Sequence, residues 1–162
     1  MSSPRRRTWP RTLWNDWDEA HTVPELLSGS WQSMTPGWEV RRVSQASSES
    51  LLDAEGYARV FESNLGVVHA SDALRIELLC WHGGVWADAT TLCTRPLDDW
   101  PPDAMGAGFF AFRCPEPERP LATWFLASER GGDLICRLRP RTDEGLALLA
   151  ASAPLCSYET TA

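Results

Sequence analysis

The feature that most constrains the fold is the segment from His69 to Thr90, which reads HASDALRIELLCWHGGVWADAT. Its apolar residues recur at helical spacing over most of the helix surface, so the pattern predicts a well-buried helix. Ser71 is a good N-cap, and Asp72 suits the first turn because a carboxylate is stabilised at the positive end of the helix dipole. We therefore expect the helix to begin at Ser71.

The end of this helix and the strand after it are equally well marked. Gly83 and Gly84 supply the left-handed conformation that commonly stops a helix. The run Val85 to Ala87 is then long enough only for a short buried strand, with Asp88 at its carboxyl end. Helix, glycine pair, strand and aspartate thus form one unit.

Strand-like and helix-like segments alternate along the rest of the chain. Residues 47–63 are helix-prone but interrupted by Gly56, and no internal repeat is visible. Alternation of this kind indicates an α/β fold with a largely parallel sheet flanked by helices. We predict further strands at 12–14, 38–43, 91–94 and 108–112, and further helices at 23–34, 121–130 and 142–151.

The ends of the chain differ from its middle. The first eight residues contain Arg5, Arg6 and Arg7 and read as a disordered basic arm, although the arm could also touch an acidic surface. Residues 153–162 read as a loose tail. We expect one domain over residues 9–152, because a chain of 162 residues is long enough for one substantial core.

Composition excludes several classes of function. A net charge of −7 argues against a general nucleic-acid binder or a binder of anionic membranes. All 15 basic residues are arginine, which excludes a Schiff-base lysine and a phosphate-loop lysine. No run approaches the 18 apolar residues that a membrane span needs, and no signal peptide is visible. We expect a cytoplasmic protein without a transmembrane segment.

Neither the cysteines nor the histidines have the spacing of a metal site. The five cysteines are widely separated, with no CxxC pair, and the three histidines lie far apart with no HExxH pattern. Reduced, mostly buried thiols in a cytosolic protein are the expected state.

Three charged side chains are predicted to converge at the carboxyl edge of the sheet, where ligands bind in open α/β folds. Asp72 and Arg75 are three residues apart on the predicted first turn of the long helix, so they share one face. The short strand runs back along this helix and brings Asp88 to the same end. Trp14 and Asn15 end another strand at this edge.

Simpler interpretations of the same residues remain open. Asp72 and Arg75 could be a capping charge and a surface ion pair. Asp88 could be a turn aspartate that bonds its own backbone, and Trp14 could be a core residue. The Asp98–Asp99 pair is most simply a solvated loop.

The run ASDALRIELLCWHGGVWADATTLCTRPLDDW resembles the core signature of capsular-polysaccharide-synthesis-type glycosyltransferases. That group is similar to the wider set of sugar transferases with a DXD motif. The shared pattern is SD-x-x-R, a buried helix, a glycine pair, an aromatic strand and an aspartate, and then a loop matched here by Pro96, Leu97 and Asp98. The flanking segments TLWNDWDEAHTVPELLSGSWQSMTPGWEV, GFFAF and ATWFLAS also match, so the resemblance extends from Trp9 to Ile135.

The resemblance implies a GT-A fold, which is Rossmann-like, and an enzyme that moves a sugar, as hexosyltransferases do, from a nucleotide-diphosphate sugar to a glycan acceptor. It implies that Trp14, with Asn15 beside it, contacts the nucleotide. It implies that Asp72 and Arg75 hold the hydroxyls of the donor sugar, and that Asp88 is the catalytic aspartate beside the ribose, sugar or diphosphate.

The resemblance also implies Mn²⁺ or Mg²⁺ at Asp88, because such an ion stabilises a departing diphosphate. Thr90 stands where a DXD motif has its second carboxylate, a form that the capsular subgroup shares. Related chains continue with helices beyond the point matched by Ile135, so we expect a shortened C-terminal part. A non-catalytic nucleotide-sugar-binding remnant and an interaction domain are the alternative functions.

Overall fold

The computed structural model describes residues 9–16, 24–62, 67–99, 108–116 and 119–139. The predicted helix over 142–151, the basic arm and the tail lie outside these residues. The strands are β1 (Thr12–Asp16), β2 (Glu39–Val43), β3 (Gly84–Ala87), β4 (Phe109–Glu116) and β5 (Arg119–Ser128). The α-helices are α1 (Glu25–Met34), α2 (Gln45–Ser48), α3 (Ala54–Tyr57), α4 (Val67–His82) and α5 (Asp133–Arg137), with a π-helical turn at Ala58–Glu62 and a 3₁₀ turn at Leu97–Asp99.

The five strands form one sheet in the order β2-β1-β3-β5-β4. β1 pairs in parallel with β2 and with β3, while β5 pairs antiparallel with β3 and with β4. Four strands therefore run in one direction and only β5 runs against them. The predicted α/β fold with a mostly parallel sheet flanked by helices is confirmed.

The sheet separates two apolar clusters. On one side α4 and α5 pack through Leu74, Leu78 and Ile135 against the sheet residue Trp86. On the other side α1 packs through Trp31 and meets a separate set of sheet residues, which are Leu13, Val85, Ala87, Phe110, Phe125 and Ala127. β3 is buried along its whole length, as expected for a central strand covered on both faces.

Both glycines between α4 and β3 are required by their surroundings. Gly83 and Gly84 have φ angles of +68° and +98°, which side chains other than glycine rarely adopt. A Cβ at Gly83 would lie 2.5 Å from the backbone nitrogen of Arg130, and one at Gly84 would lie 2.4 Å from the carbonyl oxygen of Thr12. The pair therefore stops the helix, as predicted, and also lets β3 enter the sheet beside β1.

The prediction of a helix at 121–130 is wrong, because Arg119–Ser128 forms β5. This segment pairs with β3 on one side and with β4 on the other. Its apolar run fits a buried helix or a buried strand equally well, since periodicity alone does not separate the two. The partner strands therefore decide its structure.

Two smaller expectations are also corrected. α4 begins at Val67 and not at Ser71, so Ser71 is a helical residue and Asp72 and Arg75 lie beyond the first turn. Residues 91–94 form no strand. They follow a turn that is closed by a hydrogen bond from the Thr91 backbone to the carbonyl of Asp88, at 2.9 Å.

α4 is joined to the π-helical turn, to α5 and to the residue Arg139 after α5 by bonds that are not predictable from the sequence. Glu77 is buried, and it accepts hydrogen bonds from Arg59 at 2.9 Å and from Arg139 at 3.0 Å. The hydrogen bond to Glu77 is the main cause that raises the pKa of Arg59. Cys80 and Cys136 form a disulfide bond between α4 and α5, so the expectation of reduced thiols is wrong for this pair.

Cys93 is a free, buried cysteine, and burial raises the pKa of its thiol above the ordinary value. None of the helices in the described ranges is long and apolar enough to cross a membrane. The cytoplasmic location stays a prediction.

Candidate functional site

The structure brings Asp72, Arg75 and Asp88 together at the carboxyl end of β3. One nitrogen of the Arg75 guanidinium, Nη2, lies 3.1 Å from Oδ1 of Asp72 and 3.4 Å from Oδ1 of Asp88. The Arg75 side chain is only 6 % exposed, whereas the two carboxylates are 21 % and 33 % exposed. Asp72 and Arg75 therefore do not form a simple surface pair, because the buried arginine also contacts a third residue on another element.

The remaining donors of Arg75 bind the protein itself. Nε donates to the carbonyl of Ser71 at 3.3 Å, and Nη1 donates to the carbonyl of Thr123 at 2.5 Å. Nη2 also lies 3.4 Å from the hydroxyl of Ser71. Arg75 thus ties α4 to β5 and holds both carboxylates in place. Its predicted direct contact with sugar hydroxyls stays a prediction.

Asp88 is fixed at a turn through its backbone. Its N–H donates to the carbonyl of Trp124 at 2.9 Å, and its own carbonyl accepts from the hydroxyl of Thr91 at 2.6 Å. The carboxylate is not used in the turn, since its contacts are with the side chains of Arg75 and Trp86. The simpler interpretation, in which this carboxylate bonds its own backbone, does not describe the structure.

Trp86 is the residue of the site that the sequence analysis missed. Its indole N–H donates to Oδ1 of Asp88 at 2.7 Å, and its ring lies 5.1 Å beneath the Arg75 guanidinium. The signal was present in the sequence, because residues two apart on a strand project to the same face. Trp86 is fully buried, so its bond to the partly exposed Asp88 carboxylate is made from the protein interior.

The second carboxylate oxygen of Asp88, Oδ2, accepts no hydrogen bond from any residue within the described ranges. Oδ1 receives both the indole N–H and the guanidinium, so the carboxylate is held by one oxygen and presents the other. With one arginine between two carboxylates, the three side chains carry a net charge of −1. This arrangement suits hydroxyl groups, which donate to carboxylates, or a cation bridging to phosphates.

A metal ion would find few ligands here. Across the described segments, no three His, Cys, Asp or Glu side chains converge on a point that could hold a metal ion. Thr90 is exposed two residues beyond Asp88. Mg²⁺ typically binds one or two carboxylates and completes its shell with phosphates and water, so Oδ2 of Asp88 fits such an ion as a single protein ligand.

Trp14 is brought to the same sheet but not to its surface. It is 2 % exposed, and its indole N–H donates to the carbonyl of Gly83 at 2.9 Å. Its ring lies 5.5 Å from that of His82, and the guanidinium of Arg41 lies 5.6 Å from its centre. The structure thus gives Trp14 a packing role. Its predicted contact with a nucleobase stays a prediction, which would need the ring to become exposed.

Asn15 is buried at the carboxyl end of β1 and links two strand ends. Its side-chain amide donates to the carbonyl of Ala87 at 2.5 Å, directly before Asp88. Asn15 therefore helps to position the end of β3. Its predicted contact with a nucleotide also stays a prediction.

Asp98 lies away from these residues and anchors a loop. Its carboxylate accepts hydrogen bonds from Arg11 at 2.8 Å and from the indole N–H of Trp38 at 3.1 Å. It is therefore more than a solvated loop residue, although its side chain remains 46 % exposed. The bonds fix the 3₁₀ turn Leu97–Asp99 against the start of β1.

A comparison with known protein families places most of the chain in one of them. The sequence profile of the family described as capsular polysaccharide synthesis protein matches residues 18–141. A yeast protein described as "Putative glycosyltransferase HOC1" (Saccharomyces cerevisiae, strain S288c) is 24 % identical over 104 residues, which are 60 % of this chain and 26 % of the yeast protein. The chain thus spans about a quarter of that relative.

The fold is shared with a solved glycosyltransferase. The chain described as PaToxG Glycosyltransferase matches with a TM-score of 0.53 and 13 % sequence identity. The match covers 88 % of this chain and 62 % of that chain. At this identity the match establishes a common fold for most of the described sheet and helices.

Proposed function

The chain belongs to the capsular polysaccharide synthesis protein family, and we propose on this premise that it is a glycosyltransferase. Its donor is a nucleotide-diphosphate sugar and its acceptor is a glycan, as in the assembly of a surface polysaccharide. Hexosyl transfer is the form of the reaction that the sequence resemblance implies. No nucleic acid is part of the proposal, since the net charge of −7 opposes one.

The observation that carries the proposal is the placement of Asp72 and Asp88 on the two sides of one buried arginine. Both carboxylates lie at the carboxyl end of β3, where open α/β sheets bind their ligands. Fixed carboxylates bind and orient sugar hydroxyls, because a hydroxyl donates readily to an ionised acid. Orientation of the donor is a large part of what a transferase must supply, since the reacting carbon must face the acceptor.

The residues have distinct roles in this proposal. Asp72 and Oδ2 of Asp88 bind the donor, while Arg75 holds both carboxylates and Trp86 holds that of Asp88. Mn²⁺ or Mg²⁺ bound at Oδ2 of Asp88 would supply a Lewis acid that stabilises the departing nucleoside diphosphate. In this proposal the exposed Thr90, two residues beyond Asp88, could offer a hydroxyl as a further oxygen ligand.

A melting-temperature screen with nucleotide sugars tests the proposal. Ligands that bind only the folded state raise the melting temperature by an amount that increases with the logarithm of ligand concentration over the dissociation constant. We expect at least one UDP- or GDP-sugar to raise it in the presence of Mn²⁺, and the same ligand to have a smaller effect after chelation. If no nucleotide sugar changes the melting temperature, the chain is not a donor-binding transferase domain.

A nucleotide-sugar-binding domain without transfer is the second candidate. It is favoured by Thr90, because a hydroxyl is a weaker metal ligand than the second carboxylate of a DXD motif. The two candidates differ in turnover. Release of nucleoside diphosphate from a bound donor supports the enzyme, whereas binding without either transfer or donor hydrolysis supports the second candidate.

A further inference from the structure

Four aromatic rings lie together at the β4–β5 edge of the sheet, on the side that α1 covers. The rings of Phe110 and Phe112 meet edge to face, with their centroids 5.1 Å apart. Phe112 stacks on Trp124, with 5.2 Å between the ring centroids and 22° between the ring planes. Phe125 contacts both Phe112 at 5.6 Å and Trp124 at 6.3 Å. We call Trp124 with its supporting Phe112 the aromatic pair.

An irregularity in β5 brings Trp124 to this side. Ala111 pairs with Leu126 and Arg113 pairs with Leu121, so four residues of β5 lie opposite one residue of β4. Strict alternation would place Trp124 and Phe125 on opposite faces, yet both join the α1-side cluster. Bulges of this kind redirect side chains and are common next to functional sites.

The Trp124 side chain is partly exposed, and its indole N–H donates no hydrogen bond to the residues that the structure describes. Four other tryptophans of the described ranges do donate through this group. The donors and acceptors are Trp14 to Gly83, Trp31 to Thr91, Trp38 to Asp98 and Trp86 to Asp88. A partly exposed tryptophan presents an apolar ring face together with a polar N–H at its tip. Such a ring is suited to a ligand with the same two properties.

Trp124 lies on β5, the strand that pairs with β3, directly beside Asp88. Its carbonyl accepts the backbone N–H of Asp88 at 2.9 Å, and the carbonyl before it, of Thr123, accepts from Arg75. The two are separated by face, since Asp88 bonds Trp86 of the α4-side cluster whereas Trp124 lies in the α1-side cluster. A ligand resting on Trp124 would therefore approach Asp88 from the side opposite to α4.

We propose that the aromatic pair is a carbohydrate subsite that binds a pyranose ring of the glycan acceptor. A pyranose has an apolar face of C–H groups, which packs on an aromatic ring, and hydroxyls at its rim, one of which accepts the indole N–H. An acceptor must reach the donor sugar from a different direction than the groups that hold the donor, and Trp124 offers that direction. The identity of the occupant as an acceptor rests on the proposed function.

Nuclear magnetic resonance of the nine indole N–H groups tests the subsite directly. The Trp124 resonance is assigned by its loss in Trp124→Phe, and wild-type protein is titrated with maltotriose, cellotriose, mannotriose and UDP. We expect at least one trisaccharide to shift this resonance. The proposal is overturned if no trisaccharide shifts it, or if only UDP does, since the pair would then be a nucleobase site.

Two variants distinguish the loss of a specific stacking contact from the general effect of removing an exposed tryptophan. Trp124→Leu is expected to weaken trisaccharide binding by roughly five- to tenfold, the usual effect of losing one aromatic contact. Trp81→Leu is the matched control, because Trp81 is 37 % exposed on the last turn of α4 and lies over Arg139. Equal weakening by both variants would contradict a specific subsite.

The melting-temperature screen with nucleotide sugars distinguishes failure of the acceptor subsite from failure of the proposed glycosyltransferase function. Trp124→Leu is expected to leave the donor-induced rise in melting temperature unchanged, because donor binding is assigned to Asp72 and Asp88. If wild-type protein binds no nucleotide sugar, the proposed function fails, but the trisaccharide titration still decides whether the subsite exists. If donor binds and no trisaccharide does, the subsite alone fails.

Discussion

At the scale of single residues, the site is organised around one buried positive charge. Arg75 lies between two carboxylates and also bonds two backbone carbonyls, on α4 and β5. Removing one partner of a buried charged group leaves the others uncompensated, which is costly. The residues that hold Asp88 should therefore matter as much for ligand binding as those that touch the ligand.

Arg75→Lys tests this role of the guanidinium. A lysine has one compact charge and cannot reach Thr123, Asp72 and Asp88 at once, so the carboxylates lose their fixed positions. We expect a lower melting temperature and donor affinity reduced by about tenfold or more, as for a lost charge-assisted hydrogen bond. The control is Arg11→Lys, whose ion pair with Asp98 is exposed and which should change neither quantity much.

Trp86→Phe tests the positioning of Asp88. Phenylalanine keeps an aromatic ring beneath Arg75 but removes the N–H that bonds Oδ1 of Asp88. We expect a fold that persists, and a donor dissociation constant raised by roughly tenfold because hydrogen bonds to charged groups are worth about 1.5–3 kcal/mol. Trp38→Phe removes an equivalent bond to Asp98 away from the site. Calorimetry that finds equal losses for both variants would contradict a positioning role for Trp86.

At the scale of elements, the helix, glycine pair and strand around Asp88 could be predicted because each has a local cause. Apolar spacing gives the helix, positive φ requires the glycines, and three apolar residues allow only a strand. The start of α4 was placed one turn late, because Ser71 is an acceptable cap but also lies within the longer helix. The convergence of Asp72, Arg75 and Asp88 could be predicted from this unit. The bond from Trp86 to Asp88, which belongs to the same unit, was not predicted.

The segment at 121–130 could not be predicted, because its structure is decided by distant partners. Leu126 pairs with both Trp86 and Ala111, and neither pairing is visible in a single sequence. The buried state of Trp14 has the same origin. Its neighbours Gly83 and His82 come from the far end of α4, and only the assembled sheet brings them together.

Gly84→Ala tests why the glycine pair is needed. A methyl group would meet the carbonyl of Thr12 at 2.4 Å in a backbone conformation with φ of +98°. We expect the free energy of unfolding to fall by roughly 3 kcal/mol or more, from strain and lost strand pairing together. Gly29→Ala is the control, because nothing lies within 4 Å of its Cβ position in α1. Urea unfolding should show that Gly29→Ala raises the free energy of unfolding by about 0.5–1 kcal/mol.

At the scale of the whole molecule, two kinds of bond hold the π-helical turn Ala58–Glu62 and the segment around α5 to α4. The disulfide Cys80–Cys136 closes a loop of 56 residues in sequence separation, and the buried Glu77 binds Arg59 and Arg139. The disulfide restricts the unfolded chain, whereas the ion pairs act in the folded state. α4 also carries Asp72 and Arg75. The bonds that fix the C-terminal half of α4 therefore also help to hold these two site residues in place.

Reduction of the disulfide tests the contribution of this link. Loop-closure entropy predicts a loss of up to roughly 4 kcal/mol in the free energy of unfolding. We expect dithiothreitol to lower the melting temperature of wild-type protein and to leave the double variant Cys80→Ser with Cys136→Ser unchanged. A wild-type melting temperature that does not respond to dithiothreitol would show that the two cysteines are not bonded in solution.

The donor dissociation constant of Asp88→Asn, measured by calorimetry with Mn²⁺, tests whether the Asp88 carboxylate binds the donor. The donor is the nucleotide sugar that raises the wild-type melting temperature most. Asparagine keeps the shape of the side chain but removes the charge that Arg75 and Trp86 hold at the end of β3. Asp99→Asn is the control, because Asp99 is exposed in the 3₁₀ turn.

We expect Asp88→Asn to weaken donor binding by about tenfold or more, as when a charged partner is lost, while Asp99→Asn binds like wild type. Equal donor affinity for Asp88→Asn and wild-type protein, with the fold of both intact, would contradict the assignment of the donor site.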